Sequence, residues 1–93
     1  MAGYRFEWDP AKALANLEKH GVGFDEAAAV FGDPLALLMP DLDHAEHEER
    51  YLLLGMSSRA RLLVVAFAER PPQTRLISAR LATREERRRY ELG

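Results

Sequence analysis

The chain has 93 residues, enough for one domain and too few for two. With 47% hydrophobic and 30% charged residues it has the composition of a globular domain, and with no cysteine it excludes disulfides, a thiolate nucleophile and a cysteine-based zinc site. The net charge of −2 conceals a division: residues 1–58 carry 4 Lys and Arg against 11 Asp and Glu, while residues 59–93 carry 9 cations, all arginine, against 4 Glu.

In chain order, Tyr4–Trp8 alternates aromatic and charged residues, the period of a half-buried strand. Asp9-Pro10 starts a helix, with Asp9 as N-cap and Pro10 in the first turn; Leu14 and Leu17 share one face, and Lys19-His20-Gly21 closes it. Phe24-Asp25 opens a second helix with Asp25 as the cap and Ala27, Ala28, Val30 and Phe31 as its apolar side, ended by Gly32-Asp33-Pro34. Leu35–Met39 reads as a short strand and 41–49 as an acidic loop. Arg50–Met56 and Arg61–Ala68 are strands joined by a turn at Ser57–Ala60; Glu69–Thr74 is a second turn, and Arg75–Leu81 a further strand. Thr83-Arg-Glu-Glu86 has the form of a capping box and begins the last helix. Short hairpin turns require antiparallel neighbours, so the expected fold is α+β: one domain over 1–93, an antiparallel sheet with two N-terminal helices packed on one face and a C-terminal helix.

Arginine's planar fork matches phosphate and carboxylate, so the basic second half is either a phosphate-binding face or the ion-pairing complement of the acidic half. On an uninterrupted strand Arg80 shares a face with Leu76 and Ser78, and Arg75 points the other way. Arg59 and Arg61 flank a hairpin turn, and Lys12, Lys19 and His20 ride on the first helix, where each is a solvated charge or a contact to a nucleic-acid backbone. Trp8 is a core or interface anchor, or a stacking platform for a base. Glu49, beside Arg50, is a structural ion-pair partner or a general base. His44 and His47 lie among Asp41, Asp43, Glu46 and Glu48, but neither an EF-hand loop nor an H-E-x-x-H helix is present, so no metal site is expected. No apolar run approaches the ~20 residues of a membrane span and no signal peptide is visible, so a cytoplasmic protein is expected.

Phe6-Glu7-Trp8-Asp9-Pro10 with Lys12, Asn16 and Lys19-His20-Gly21-Val22, followed by Phe24-Asp25-Glu26-Ala27 and Phe31-Gly32-Asp33-Pro34, resembles the opening of the BrnT toxins. Glu48-Glu49-Arg50, Gly55, Ser57, Leu62–Val65, Ile77-Ser78-Ala79-Arg80, Ala82-Thr83, Glu86-Arg87 and Tyr90-Glu91 continue the resemblance over nearly the whole chain. It implies a fold similar to the RelE-type ribonucleases and a metal-independent endoribonuclease toxin of a type II toxin–antitoxin system. It also implies neutralisation by a BrnA-like ribbon-helix-helix antitoxin, in a heterotetramer that reaches operator DNA only through the antitoxin. No cofactor is implied. On this reading Arg80, Arg61, Glu49 and His44 are the catalytic candidates, and Arg59, Arg75, Lys12, Lys19 and His20 the RNA-binding ones. Where many relatives carry histidine or tyrosine this chain has Phe67, which cannot exchange a proton. The alternative is therefore a non-catalytic antitoxin-binding subunit of an autoregulatory complex.

Overall fold

The computed structural model describes residues 5–41 and 49–93. The elements follow as β1 (Phe6–Glu7), α1 (Pro10–His20), α2 (Phe24–Ala29) with a 3₁₀ turn at Val30–Gly32, β2 (Leu37–Pro40), β3 (Arg50–Met56), β4 (Leu62–Arg70), β5 (Gln73–Leu81) and α3 (Arg84–Leu92). The strands form one sheet in the order β1-β5-β4-β3-β2. Its three hairpin-linked pairings are antiparallel as expected, but β1 lies parallel to β5, so the sheet is mixed. The chain reaches that edge before any hairpin turn fixes a direction, which is why turn lengths alone did not reveal it.

Two apolar clusters define the two faces. On one, Leu53, Leu63, Val65, Phe67, Leu76 and Ala79 pack under Val22, Phe24, Ala27 and Val30 of the helical layer. On the other, Leu54, Leu62 and Val64 pack with Leu37, Leu52, Met56 and Tyr90. Tyr90 belongs to α3, so the C-terminal helix sits on the face of the sheet opposite α1 and α2. The Leu62–Val65 run serves both clusters, which explains why it is apolar at every position.

Local chemistry sets the ends of these elements. The Asp9 carboxylate accepts from the Ala11 N–H at 2.9 Å, and Gly21, at φ 70°, closes α1 with its N–H on the Leu17 carbonyl. The N-cap of α2 is Gly23, and Asp25 falls in the first turn instead of capping it. Asp33 accepts from the Leu35 N–H at 2.9 Å and holds a turn there, so β2 begins at Leu37, two residues later than the apolar run suggests. Thr83 and Glu86 form the expected capping box. A Cβ on Gly55 would meet Val30 Cγ1 at 2.9 Å and Ala36 Cβ at 3.0 Å, so this position of β3 needs a residue without a side chain.

The buried side of α1 is carried by a polar residue. Asn16 donates to the carbonyls of Val22 and Ala79, both at 2.9 Å, and accepts from the Ala79 N–H at 3.1 Å. Beyond the two residues of β1, this amide satisfies the β5 edge as a strand would. Leu14 and Leu17, which share one face of α1, are 59% and 48% exposed because the inward side is that of Ala13 and Asn16. Asn16→Ala leaves a buried N–H and two carbonyls short of partners, and is expected to lower the unfolding free energy by about 1–3 kcal/mol in urea denaturation.

Candidate active site

A helix of 3.6 residues per turn puts positions 12, 16, 19 and 20 on one side. Asn16 fixes that side against β5, and Lys12, Lys19 and His20 flank it, lining a groove of about 250 Å³ whose other wall is Ile77 and Ser78. Lys12 and Lys19 are exposed, and among the described residues no carboxylate lies within ion-pair distance of Lys12, Lys19 or His20. Among the described residues, the two lysines therefore carry positive charge along the β5 edge with no carboxylate beside them.

The arginines of β5 adjoin it through an irregularity. Ala66 pairs with Ser78, but the next residue, Phe67, pairs with Leu76, so Ile77 is an extra residue in β5. Strict alternation would place Arg75 and Arg80 on opposite faces. The bulge puts Arg75 opposite Ala68, Ser78 opposite Ala66 and Arg80 opposite Val64, all on the α3 face. Leu76, paired with Phe67, turns to the helical layer, which corrects the expected grouping of Arg80 with Leu76.

Each of these arginines is held by a carboxylate. Arg80 grips Glu86 through both terminal nitrogens, at 2.8 and 3.0 Å, and its Nη1 also reaches the Leu81 carbonyl at 3.3 Å. Arg75 donates from Nη1 to Glu7 at 3.0 Å, across the parallel β1–β5 pairing. The Arg80 hydrogen bonds, opposed by burial and aided by the Thr83 N–H, hold the Glu86 carboxyl at about 2, against an ordinary 4.5. A carboxylate held that low stabilises the folded state above the ordinary value, and the contribution is lost as pH falls from about 4.5 toward 2. Melting temperature should therefore fall through that acid window, and Glu86→Gln should flatten the fall.

Arg61 has a different place. Leu62 belongs to the α3 face, so Arg61 turns to the helical layer. There it forms a bidentate pair with Glu26 of α2, which is only 6% exposed, and its Nη2 donates to the Gly21 carbonyl at 3.0 Å. Ser57 Oγ donates to the same carboxylate at 2.7 Å. The Arg61 hydrogen bonds, opposed by burial and aided by Ser57, keep Glu26 below its ordinary value, and Glu26 in turn raises Arg61. Arg59 is exposed beside this network, in a cleft with Gly21, Gly23 and Ser58.

Glu49 lies at the opposite end of the β3–β4 hairpin from Arg61, roughly 25 Å away at ~3.3 Å per strand residue. It is exposed and accepts from the Tyr51 hydroxyl at 2.6 Å. His44 and His47 lie outside the described residues. The structure therefore sets Lys12, Lys19 and His20 of α1 along the edge of β5 and Arg75 and Arg80 on the α3 face of the same strand, and it does not bring Arg61, Arg59 or Glu49 to either group. Phe67, 5% exposed, is a core residue wedged between Phe31 (ring centroids 5.0 Å apart) and Tyr51 (5.6 Å). Packing accounts for its phenyl ring.

Sequence reasoning missed Glu26 and the contact of Tyr90 with Asp33. Glu26 had a signal, a lone acid one turn before Val30 on the apolar side of α2. The Tyr90 hydroxyl, which donates to Asp33 at 2.6 Å, pairs residues 57 positions apart and had none. Burial pushes the Asp33 carboxyl up, but the donors Tyr90, Met56 N–H and Leu35 N–H outweigh it and leave it below its ordinary value.

Fold and groove define a small α+β domain with a cationic cleft along one edge of a mixed sheet. Residues 8–86 match the family described as the ribonuclease toxin, BrnT, of type II toxin–antitoxin systems. The chain belongs to that family. It is also similar to the crystal structure of the Brucella abortus ribonuclease toxin BrnT, with a TM-score of 0.67 and 21% identity over 88% of this chain and 100% of the other. No curated protein matches the chain.

Proposed function

We propose that the protein is an endoribonuclease that binds single-stranded RNA along β5 and cleaves it by attack of a 2′-hydroxyl on the adjacent phosphate. The observation that carries this reading is the pair of exposed lysines, Lys12 and Lys19, with His20 beside them, along the edge of the strand that presents Arg75 and Arg80 on its other face. Lysines spaced along a groove neutralise successive backbone phosphates without reading bases. Arg75 gives one N–H to Glu7 and keeps others for a phosphate, and its carboxylate partner fixes the guanidinium in advance.

In the reaction the 2′-oxygen forms a bond to phosphorus, its proton leaves to a base, the bond from phosphorus to the 5′-oxygen breaks, and that oxygen takes up a proton. The products are a 2′,3′-cyclic phosphate and a 5′-hydroxyl. Cationic donors oppose the charge that develops on the phosphorane, and the imidazole of His20 on the same strip is built both to accept and to donate a proton. No step requires a metal. Incubation with single-stranded RNA in EDTA should give fragments with those two kinds of end. Cleavage that stops in EDTA and returns with a divalent cation, or fragments with 5′-phosphates, would contradict the mechanism.

The partner that fits a family of type II toxins is a BrnA-like ribbon-helix-helix antitoxin in a heterotetramer, with operator DNA contacted through the antitoxin alone and the complex in the cytoplasm. No helix of the described residues is long and apolar enough to cross a membrane. Co-expression with a BrnA-like antitoxin, followed by mass measurement of the intact complex, checks the stoichiometry.

A further inference from the structure

Among the described residues, no helix covers the α1 and α2 face of the sheet at its β2 end. Phe31, Leu53 and Phe67 floor a cavity of about 500 Å³ there, with Tyr51, Leu38 and Glu69 on its walls. Leu38 is 62% exposed and Leu35, a few residues earlier, 69%. A small domain seldom leaves two leucines so open beside an apolar cavity without a partner to cover them.

Among the described residues, the charged side chains that line or rim this cavity are of one sign. Glu49 accepts from the Tyr51 hydroxyl at 2.6 Å, and Glu69 accepts from Thr74 Oγ1 at 2.9 Å. Asp33, on the cavity wall, accepts from the Tyr90 hydroxyl and backbone N–H groups. All these donors are neutral. Among the described residues, no Lys, Arg or His lies within ion-pair distance of the three carboxylates, whereas Glu7, Glu26 and Glu86 are each held by arginine. The Tyr51 hydroxyl feels the result: its pKa is raised, first by the hydrogen bond it donates to Glu49, then by burial and by the charges of Glu49 and Glu69. Such a rim repels phosphate, so RNA does not suit this cavity.

The neighbouring sheet edge limits how a partner can bind. The Asp41 N–H bonds the Arg50 carbonyl, so Asp41 and, by alternation, Met39 and Leu37 direct their backbone groups toward β3. Leu38 and Pro40 face outward, and Pro40 has no N–H. Among the described residues the edge thus offers one donor, too few for an added strand, and a partner would bind there through its side chains.

We propose that this acidic, leucine-edged cavity is the docking site for the antitoxin, and that it takes an antitoxin segment with an apolar anchor side chain flanked by Lys or Arg. The proposal rests on the reading that the chain pairs with a protein antitoxin. It puts neutralisation and RNA binding on different surfaces, the first at the β2 end of the sheet and the second along β5.

The test measures the affinity of the full toxin for the antitoxin encoded beside it, at low and high salt. The variants are Leu38→Glu, Glu69→Lys and Glu69→Asp, with Lys12→Glu from the cationic groove as control, and melting curves show that each is folded. Leu38 and Glu69 are exposed, so these substitutions should leave the fold intact. Leu38→Glu should weaken binding by ~30-fold or more, the effect of losing a central apolar anchor. Glu69→Lys should weaken it by ~10-fold and flatten its salt dependence, with Glu69→Asp close to wild type. Lys12→Glu should stay within ~3-fold, as expected outside an interface. The docking site is overturned if Leu38→Glu and Glu69→Lys bind like wild type. It is equally overturned if Leu38→Glu only dissociates a toxin homodimer and leaves antitoxin affinity untouched. A wild-type toxin with no affinity for that antitoxin would overturn the pairing, and the docking site with it. RNA cleavage, read separately, bears on neither outcome.

Discussion

Glu26→Ala should lower the unfolding free energy by about 2–4 kcal/mol, somewhat less than the ~3–5 kcal/mol of a fully buried pair, because Arg61 keeps 31% of its side-chain exposure. The loss arises from what the substitution strands. Arg61 Nε and Nη2, and the Ser57 hydroxyl, all converge on one carboxylate at the junction of α2 with the β3–β4 turn. Removing it leaves a cation beside the Gly21 carbonyl with no counter-charge, and a buried hydroxyl without an acceptor. Glu26→Gln keeps the shape and part of the hydrogen bonding and should cost less. Urea denaturation followed by circular dichroism separates the two. If Glu26→Ala melted like wild type, the carboxylate would not hold α2 to the hairpin.

The second large effect concerns activity. Arg80→Ala should reduce RNA cleavage by about 10²–10³-fold, the usual loss when a preorganised donor to a developing anion is removed. The substitution also frees Glu86 from its bidentate contact, so the control is Glu86→Gln, which loosens α3 in a similar way and keeps the guanidinium. Cleavage should survive Glu86→Gln and fail with Arg80→Ala. Equal loss in both would assign Arg80 to anchoring α3. Lys12→Ala and Lys19→Ala should instead weaken RNA binding, each lowering the slope of log affinity against log salt by about 0.7 for one lost phosphate contact to a single strand.

The sequence was informative about elements and much less so about faces. Asp9-Pro10, Gly21 and the Thr83–Glu86 box mark the helix ends because capping chemistry is local. Residues 50–81 announce two hairpins because short turns leave no other pairing. The bulge at Ile77 has no such signature: it shows only in the register between β4 and β5, and it decides that Arg75 and Arg80 share a face. Helical spacing did not mark Asn16 as the inward residue of α1, since the bonds it satisfies belong to Val22 and Ala79. The candidate set divided for the same reason. Lys12, Lys19 and His20 share a helical side that spacing reveals. Whether an arginine meets a phosphate or a carboxylate depends on partners as distant as Glu26 from Arg61.

The central claim, that RNA lies along β5 beside α1, is tested most directly by amide chemical-shift mapping with a 2′-O-methyl RNA strand, which binds but cannot react. Shifts concentrated at residues 12–20 and 75–81, weakening as salt rises, are the predicted result. Shifts confined to the cavity around Phe31, Leu38 and Tyr51, with the β5 edge unmoved, would contradict it.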